Sequence, residues 1–414
     1  MAMTTIGLVL ILVLYSALVI TCNAAVVGGL LPQPAGGNNI ADQTIFNVLN
    51  FGAKPNSELI STQAFMRAWR AACDFNGRAR LFVPPGVYNL AETIFSGPCK
   101  GTHPIIVQIA GTLKAVADVS EYSNFAWISF DSINGIIITG GGTLDAQGQA
   151  LWQFNDCKSN SNCVHLPATL FFNGVENGKV MRLNLINSMG FHIHITNSYL
   201  VRFHALTIDA PENSPNTDGI HISKSNTIKL SRSVIRTGDD CVSFGQGATN
   251  VTVNKVTCGP GHGISIGSIG KLSGELEIRG LIVKNCTLRG TTNGIRIKTF
   301  AGANPNRAIG MMFSDIVMEN VKNPIIIDQS YGDKSTEPSQ VRISDVIYQN
   351  IRGTTISEVA VQLMCSARLP CLNVRLTNIN LKHIANTPIT SQCQNANVGY
   401  TGIQFPPPCH ALSS

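Results

Sequence analysis

The sequence predicts an all-β chain wound as a parallel β-helix, a solenoid with a short N-terminal capping helix. Three observations carry that expectation. Only 13% of the 414 residues are charged against 44% hydrophobic, with 38 glycines, which suits a densely buried chain with many turns and little helix surface. From about Gly101 onward, short Val, Ile, Leu and Phe runs alternate with Gly, Asn, Ser and Thr turns, and no long amphipathic helix recurs. The third observation is a register. The segments Asp218-Gly219-Ile220-His221-Ile222, Asp240-Cys241-Val242-Ser243-Phe244 and His262-Gly263-Ile264-Ser265-Ile266 begin 22 residues apart, and Asn293-Gly294-Ile295-Arg296-Ile297 follows 31 later, as if a longer loop were inserted. A period of this length, with three short strands per turn, is what a β-helix shows, and the Leu/Asn signature of a leucine-rich solenoid is absent.

Taken in chain order, Met1 to Ala25 carry no charged side chain, pass through an apolar stretch from Ile6 to Ile20 and end in small residues. That is the pattern of a secretory signal cleaved near Ala24, so residues 1–24 read as signal, 25–43 as a Gly/Pro-rich spacer and 44–414 as a single catalytic-sized domain. A first strand is expected over Thr44 to Phe51. A helix follows, with Ser61 as its cap and Phe65, Trp69 and Ala72 on one apolar face suited to covering the open end of the core. Cleavage removes Cys22 from the 12 cysteines, and in a secretory route the rest are expected to pair as neighbours: Cys73/Cys99, Cys157/Cys163, Cys241/Cys258, Cys365/Cys371 and Cys393/Cys409, with Cys286 left free. Asn250-Val251-Thr252 and Asn285-Cys286-Thr287 are glycosylation sequons for that compartment.

The net charge of +6 favours an acidic partner: a polyuronate, a nucleic acid or an anionic surface. The sequence holds no long basic run and no aromatic-rich basic segment, so nucleic acid is the poorer choice.

Residues of equal phase stack at about 4.8 Å per coil, which places Asp218, Asp240 and His262 in one outward column, with Asp239 one residue earlier beside Thr217 and Gly261. Strict alternation would send Asp239 and Asp240 to opposite faces, so both reach solvent only if Gly238 sets a bend. Like charges this close drive at least one carboxyl towards its protonated form, giving an acid and a base together, the pair that glycoside hydrolysis uses. The same oxygens could instead form an Asn/Asp ladder or a calcium site. Arg296 and Lys298 point outward from one strand face and suit a carboxylated sugar.

The motifs Asn216-Thr217-Asp218-Gly219, Gly238-Asp239-Asp240, Gly261-His262-Gly263 and Arg296-Ile297-Lys298, in this order and spacing, resemble the polygalacturonases of glycoside hydrolase family 28. The resemblance extends from about Phe46 to the end. It implies a right-handed β-helix and inverting hydrolysis of α-1,4-galacturonosyl links in pectin, without cofactor or metal. Asp239 is then the general acid, Asp218 and Asp240 position and deprotonate the water, and His262 supports the acid. Asn216, Arg296, Lys298 and Tyr331 contact substrate. The carboxylate separation expected of inversion is about 6.5–9.5 Å. Ser96-Gly97-Pro98-Cys99-Lys100, Gly111-Thr112-Leu113-Lys114-Ala115 and Asn323-Pro324-Ile325-Ile326-Ile327 look more like the plant exo-acting, pollen-associated branch than the endo-acting one. The implied setting is a monomer, secreted to the cell wall, free of membrane and nucleic acid. A pectate-lyase-like eliminase using calcium and a non-catalytic pectin-binding wall protein are the rival readings.

Overall fold

The computed structural model describes residues 43–155, 166–332 and 335–409. The expected signal, nearly all of the spacer, and Cys157 and Cys163 lie outside the described residues.

The first described element is the strand Gln43–Asn47, shorter than expected. Asn47 ends it because its side-chain oxygen accepts from the Leu49 amide and caps a 3-10 turn over Val48–Phe51. The helix Thr62–Cys73 buries Phe65, Ala68, Trp69 and Ala72. Ser61 occupies its cap position, and its carbonyl receives the Ala64 and Phe65 amides. Its hydroxyl, however, does not cap the helix; it accepts from the Lys54 amide across the turn. On the core side, Trp69 packs on Phe95 at 5.1 Å between ring centres and donates its indole N–H to the Ser96 carbonyl. The helix thereby closes the first coils, and Cys73–Cys99 ties its last residue to them.

From there the chain is a right-handed parallel β-helix. One sheet of 11 strands takes a single strand from each coil, and a second of 22 strands takes the other two. The three-strand coil holds through Thr287–Arg289. Beyond it the two strands of the larger sheet fuse into long bent ones, Asn306–Val321, Val341–Thr355 and Cys371–His383.

Inside the smaller sheet, equal phase means direct stacking. Leu170, Ile193, Ile220, Val242, Ile264, Ile295, Ile325 and Val361 pair in one unbroken register, all buried. Burying each such aliphatic side chain contributes about 1.5–3 kcal/mol, and branched chains fit the flat stack. Outward positions on the same strands are thereby held rigidly, which is what a site needs from its scaffold. Disulfides Cys241–Cys258, Cys365–Cys371 and Cys393–Cys409 form as expected from their spacing, and Cys286 is free and buried.

Candidate active site

The outward column of the smaller sheet carries the acidic cluster, with one change from the expected register. Asp240 pairs with Gly263 and Val242 with Ile264, so Cys241 is an extra residue, a bulge. As a result His262 stacks on Asp239 rather than on Asp240. The His262 amide donates to the Asp239 carbonyl, and Nδ1 of His262 lies 2.8 Å from an Asp239 carboxylate oxygen. The bulge, following the turn at Gly238, is what lets two adjacent aspartates both serve the groove. Gly238 is required there because a Cβ would sit 2.1 Å from the Ser214 carbonyl oxygen of the overlying loop.

Asp218 and Asp240 form the buried floor, and each has its own hydroxyl donor. The Ser243 hydroxyl donates to Asp218 and that of Ser265 to Asp240, both at 2.6 Å. Arg296 and Lys298 reach Asp240 at 2.9 and 3.2 Å. Both cations therefore clamp a carboxylate of the protein itself in addition to facing the groove. The Tyr331 ring lies beside them, 5.1 Å from the Lys298 ammonium and 5.8 Å from the Arg296 guanidinium. Asn216, at a left-handed turn position, donates to Asp239 at 3.5 Å and accepts from Asn155 at 3.0 Å.

These surroundings drive the two floor carboxyls apart. Burial, with the charges of Asp239 and Asp240, pushes Asp218 well above the usual carboxylate range. Burial also acts on Asp240, but Lys298 and Arg296, with the Ser265 hydrogen bond, outweigh it and hold the group below that range. The arrangement thus keeps one carboxyl ready to hold a proton and its neighbour ionised.

Ligand atoms of Asp239, Asp240 and His262 lie within 4.8 Å of one another. A divalent cation fits this cluster poorly, since Asp240 already faces two positive charges that a metal would have to approach. One oxygen of Asp239 thus stands within 4.8 Å of one of Asp240, and the two cations on Asp240 offset the repulsion between these chain neighbours.

The cluster opens into a groove of about 660 Å³ whose wall includes Asn216, His221 and Tyr331. It adjoins an apolar cavity of about 430 Å³ lined by Phe125, Phe171, Phe191 and His194. Phe191 stacks on His221 at 4.8 Å, and His194 meets Phe171 at 5.0 Å. All eight residues expected at the site, Asp218, Asp239, Asp240, His262, Asn216, Arg296, Lys298 and Tyr331, line this one groove.

Sequence reasoning missed Ser243 and Ser265, although both stand in the quoted segments and pair in register between His221 and Arg296. It also missed His192, fully buried beneath Asp218, whose amide donates to the Asp218 carbonyl and whose ring reaches that carbonyl and the one of Asp209. Burial lowers the His192 imidazole to about 4, so it stays neutral and acts as a strut.

The profile of glycosyl hydrolases family 28 matches residues 73–402. The chain is 43% identical to an exopolygalacturonase of Platanus acerifolia over 368 residues, 88% of this chain and 97% of that one. It is 38% identical to a polygalacturonase of Gossypium hirsutum, covering 87% and 89%. Among solved structures, a hyperthermoactive exopolygalacturonase from Thermotoga maritima superposes with a TM-score of 0.72 at 19% identity, over 86% of this chain and 90% of that one.

Proposed function

The chain belongs to family 28 of the glycosyl hydrolases, and from that premise we propose that it is a polygalacturonase, hydrolysing α-1,4-galacturonosyl links of pectin from the chain end with inversion. The observation that carries this reading is the opposed pair of floor carboxyls, Asp218 raised and Asp240 held ionised, next to a groove-facing Asp239 in contact with His262.

Asp239, the most exposed carboxylate of the three, donates its proton to the glycosidic oxygen as the bond to the anomeric carbon breaks. Water attacks the same carbon from the opposite face, and its proton passes to the Asp218/Asp240 floor. His262 hydrogen-bonds Asp239 through the cycle. Burial favours a proton on Asp218, so the ionised Asp240 is the floor carboxylate that takes up the water's proton. Arg296, Lys298, Tyr331 and Asn216 orient the substrate, the cations drawing in its carboxylate while keeping Asp240 ionised.

Exo action is supported by the likeness to the Platanus exopolygalacturonase. Secretion to the wall is supported by the four disulfides among the described residues. Among the described residues no helix is long and apolar enough to cross a membrane. The sequon residues Asn250 and Asn285 are exposed and available as glycan acceptors, and a monomer is the proposed working state.

The test is incubation of the protein and its Asp239→Asn variant with de-esterified polygalacturonate, following reducing ends, viscosity, ultraviolet absorbance and the product anomer. Monomer release with little early viscosity loss, inverted product and a drop of about 10³-fold or more in the variant are expected. Rapid viscosity loss would mean endo action, and absorbing unsaturated ends would mean elimination. Binding without turnover would leave a pectin-binding solenoid.

A further inference from the structure

Away from the groove, coil stacking builds a second charged surface. In the strands Glu176–Met181, Arg202–His204 and Lys229–Ser231 of the larger sheet, Lys179 pairs in register with Arg202, and Arg202 with Lys229. Their chain neighbours Val180, Phe203 and Leu230 are buried, so the three cations project outward, one above another at the strand spacing of about 4.8 Å. Together with Met181, His204 and Ser231 they line an open depression of about 400 Å³. The adjoining turns add exposed Arg182, Arg232 and Lys255, and Lys284 continues the Ser231–Asn254 register.

None of these seven cations makes an ion pair or a side-chain hydrogen bond among the described residues. Elsewhere on the surface Arg70, Arg236, Arg289 and Arg307 each have a carboxylate partner. Like charges directly opposed in a sheet cost stability, so an unpaired ladder of this kind is a surface waiting for negative charge. No basic run in the sequence marks this surface. Lys179, Arg202 and Lys229 stand 23 and 27 residues apart, and only the coil brings them together.

We propose that this face is a non-catalytic binding surface for a linear carboxylated polysaccharide, namely de-esterified polyuronate, held outside the groove while a chain end is cut within it. The proposal rests on the substrate class read for the groove. A linear ladder of single cations matches a polymer with a carboxylate on every unit. The depression has no Phe, Tyr or Trp on which bases could stack, which disfavours single-stranded nucleic acid.

The test places Lys179→Gln, Arg202→Gln and Lys229→Gln together in the Asp239→Asn background and measures retention on immobilised de-esterified polygalacturonate across a salt series, with trigalacturonate saturating the groove. Retention falling about tenfold relative to Asp239→Asn alone, with a flatter salt dependence, is expected. In the active background, hydrolysis of soluble trigalacturonate stays within about twofold while release from insoluble pectate drops. Unchanged retention overturns the proposal, as does retention on duplex DNA but not on polygalacturonate, or an equal loss of trigalacturonate hydrolysis. Should the triple variant fold poorly, Lys229→Gln alone carries the test with a drop of about twofold. If the unaltered protein fails to cleave trigalacturonate, the activity reading fails, and the column result still decides whether this face binds the polymer.

Discussion

Asp218 and Asp240 sit one coil apart, both almost fully buried, yet their surroundings act on them in opposite directions. The difference is one of partners. Asp240 has Lys298 and Arg296, whereas Asp218 has the Ser243 hydroxyl and the repulsion of two carboxylates. A carboxyl whose folded pKa is raised above its ordinary 3.8 adds stability that is full below that value and is lost as pH rises through the folded pKa. Asp218 therefore costs stability at neutral pH. Asp218→Asn keeps an acceptor for Ser243 and removes the charge, so it should raise Tm by about 2 °C or more at pH 7 while abolishing hydrolysis. The gain should fade as pH falls below 4. Melting curves at the two pH values check this, and a lower Tm at pH 7 would show that Asp218 is held by something other than its protonated form. The charged residues were legible because the 22-residue period aligned them with chemistry the eye already seeks. Ser243 and Ser265 carry the same period but no distinctive chemistry until a carboxylate is seen 2.6 Å away.

The element that sets the site is the strand Asp240–Phe244 with its bulge at Cys241. Spacing alone gave a 22-residue column running from Asp218 through Asp240 to His262. Constant sequence spacing cannot show where one coil spends an extra residue in a bulge and regains it elsewhere. Ser243 and Ser265 are back in the 22-residue register, so the shift is confined to the residues around Cys241. The disulfide to Cys258, on the strand behind, pins that bulge in the core. Replacing both cysteines by alanine should cost about 3 kcal/mol for a closed loop of this size. It should also lower kcat more than it raises KM, since Asp239 and Asp240 move relative to each other while Arg296 and Lys298 stay on their own strand. Urea unfolding and steady-state kinetics on trigalacturonate separate the two effects. Lost stability with unaltered kcat would mean that the strand register alone holds the bulge.

At the scale of the molecule, the coil period was readable in its central turns, where three strands repeat at nearly constant length. It was not readable where strands fuse, as in Asn306–Val321, because a long bent strand has no turn residues to mark its corner. The basic ladder was hidden for the related reason that its coils differ in length. A solenoid is stabilised by contacts between neighbouring coils, so its ends are the weak places, and here the helix Thr62–Cys73 protects the first end by burying Trp69 against Phe95 and Phe130. Trp69→Ala should cost about 3–5 kcal/mol, and nearest-neighbour stabilisation predicts where that loss is felt. Amide hydrogen exchange should quicken in the strands Arg78–Val83, Thr93–Ser96 and Ala126–Asp131, and fade in effect before Asn293–Phe300. Trigalacturonate hydrolysis well below the melting temperature should be unaltered, because the acidic cluster lies several coils away. Equal acceleration of exchange in every coil would instead show that the continuous aliphatic stack couples the whole helix into one unfolding unit, and the catalytic coils would then depend on the N-terminal cap for their own persistence.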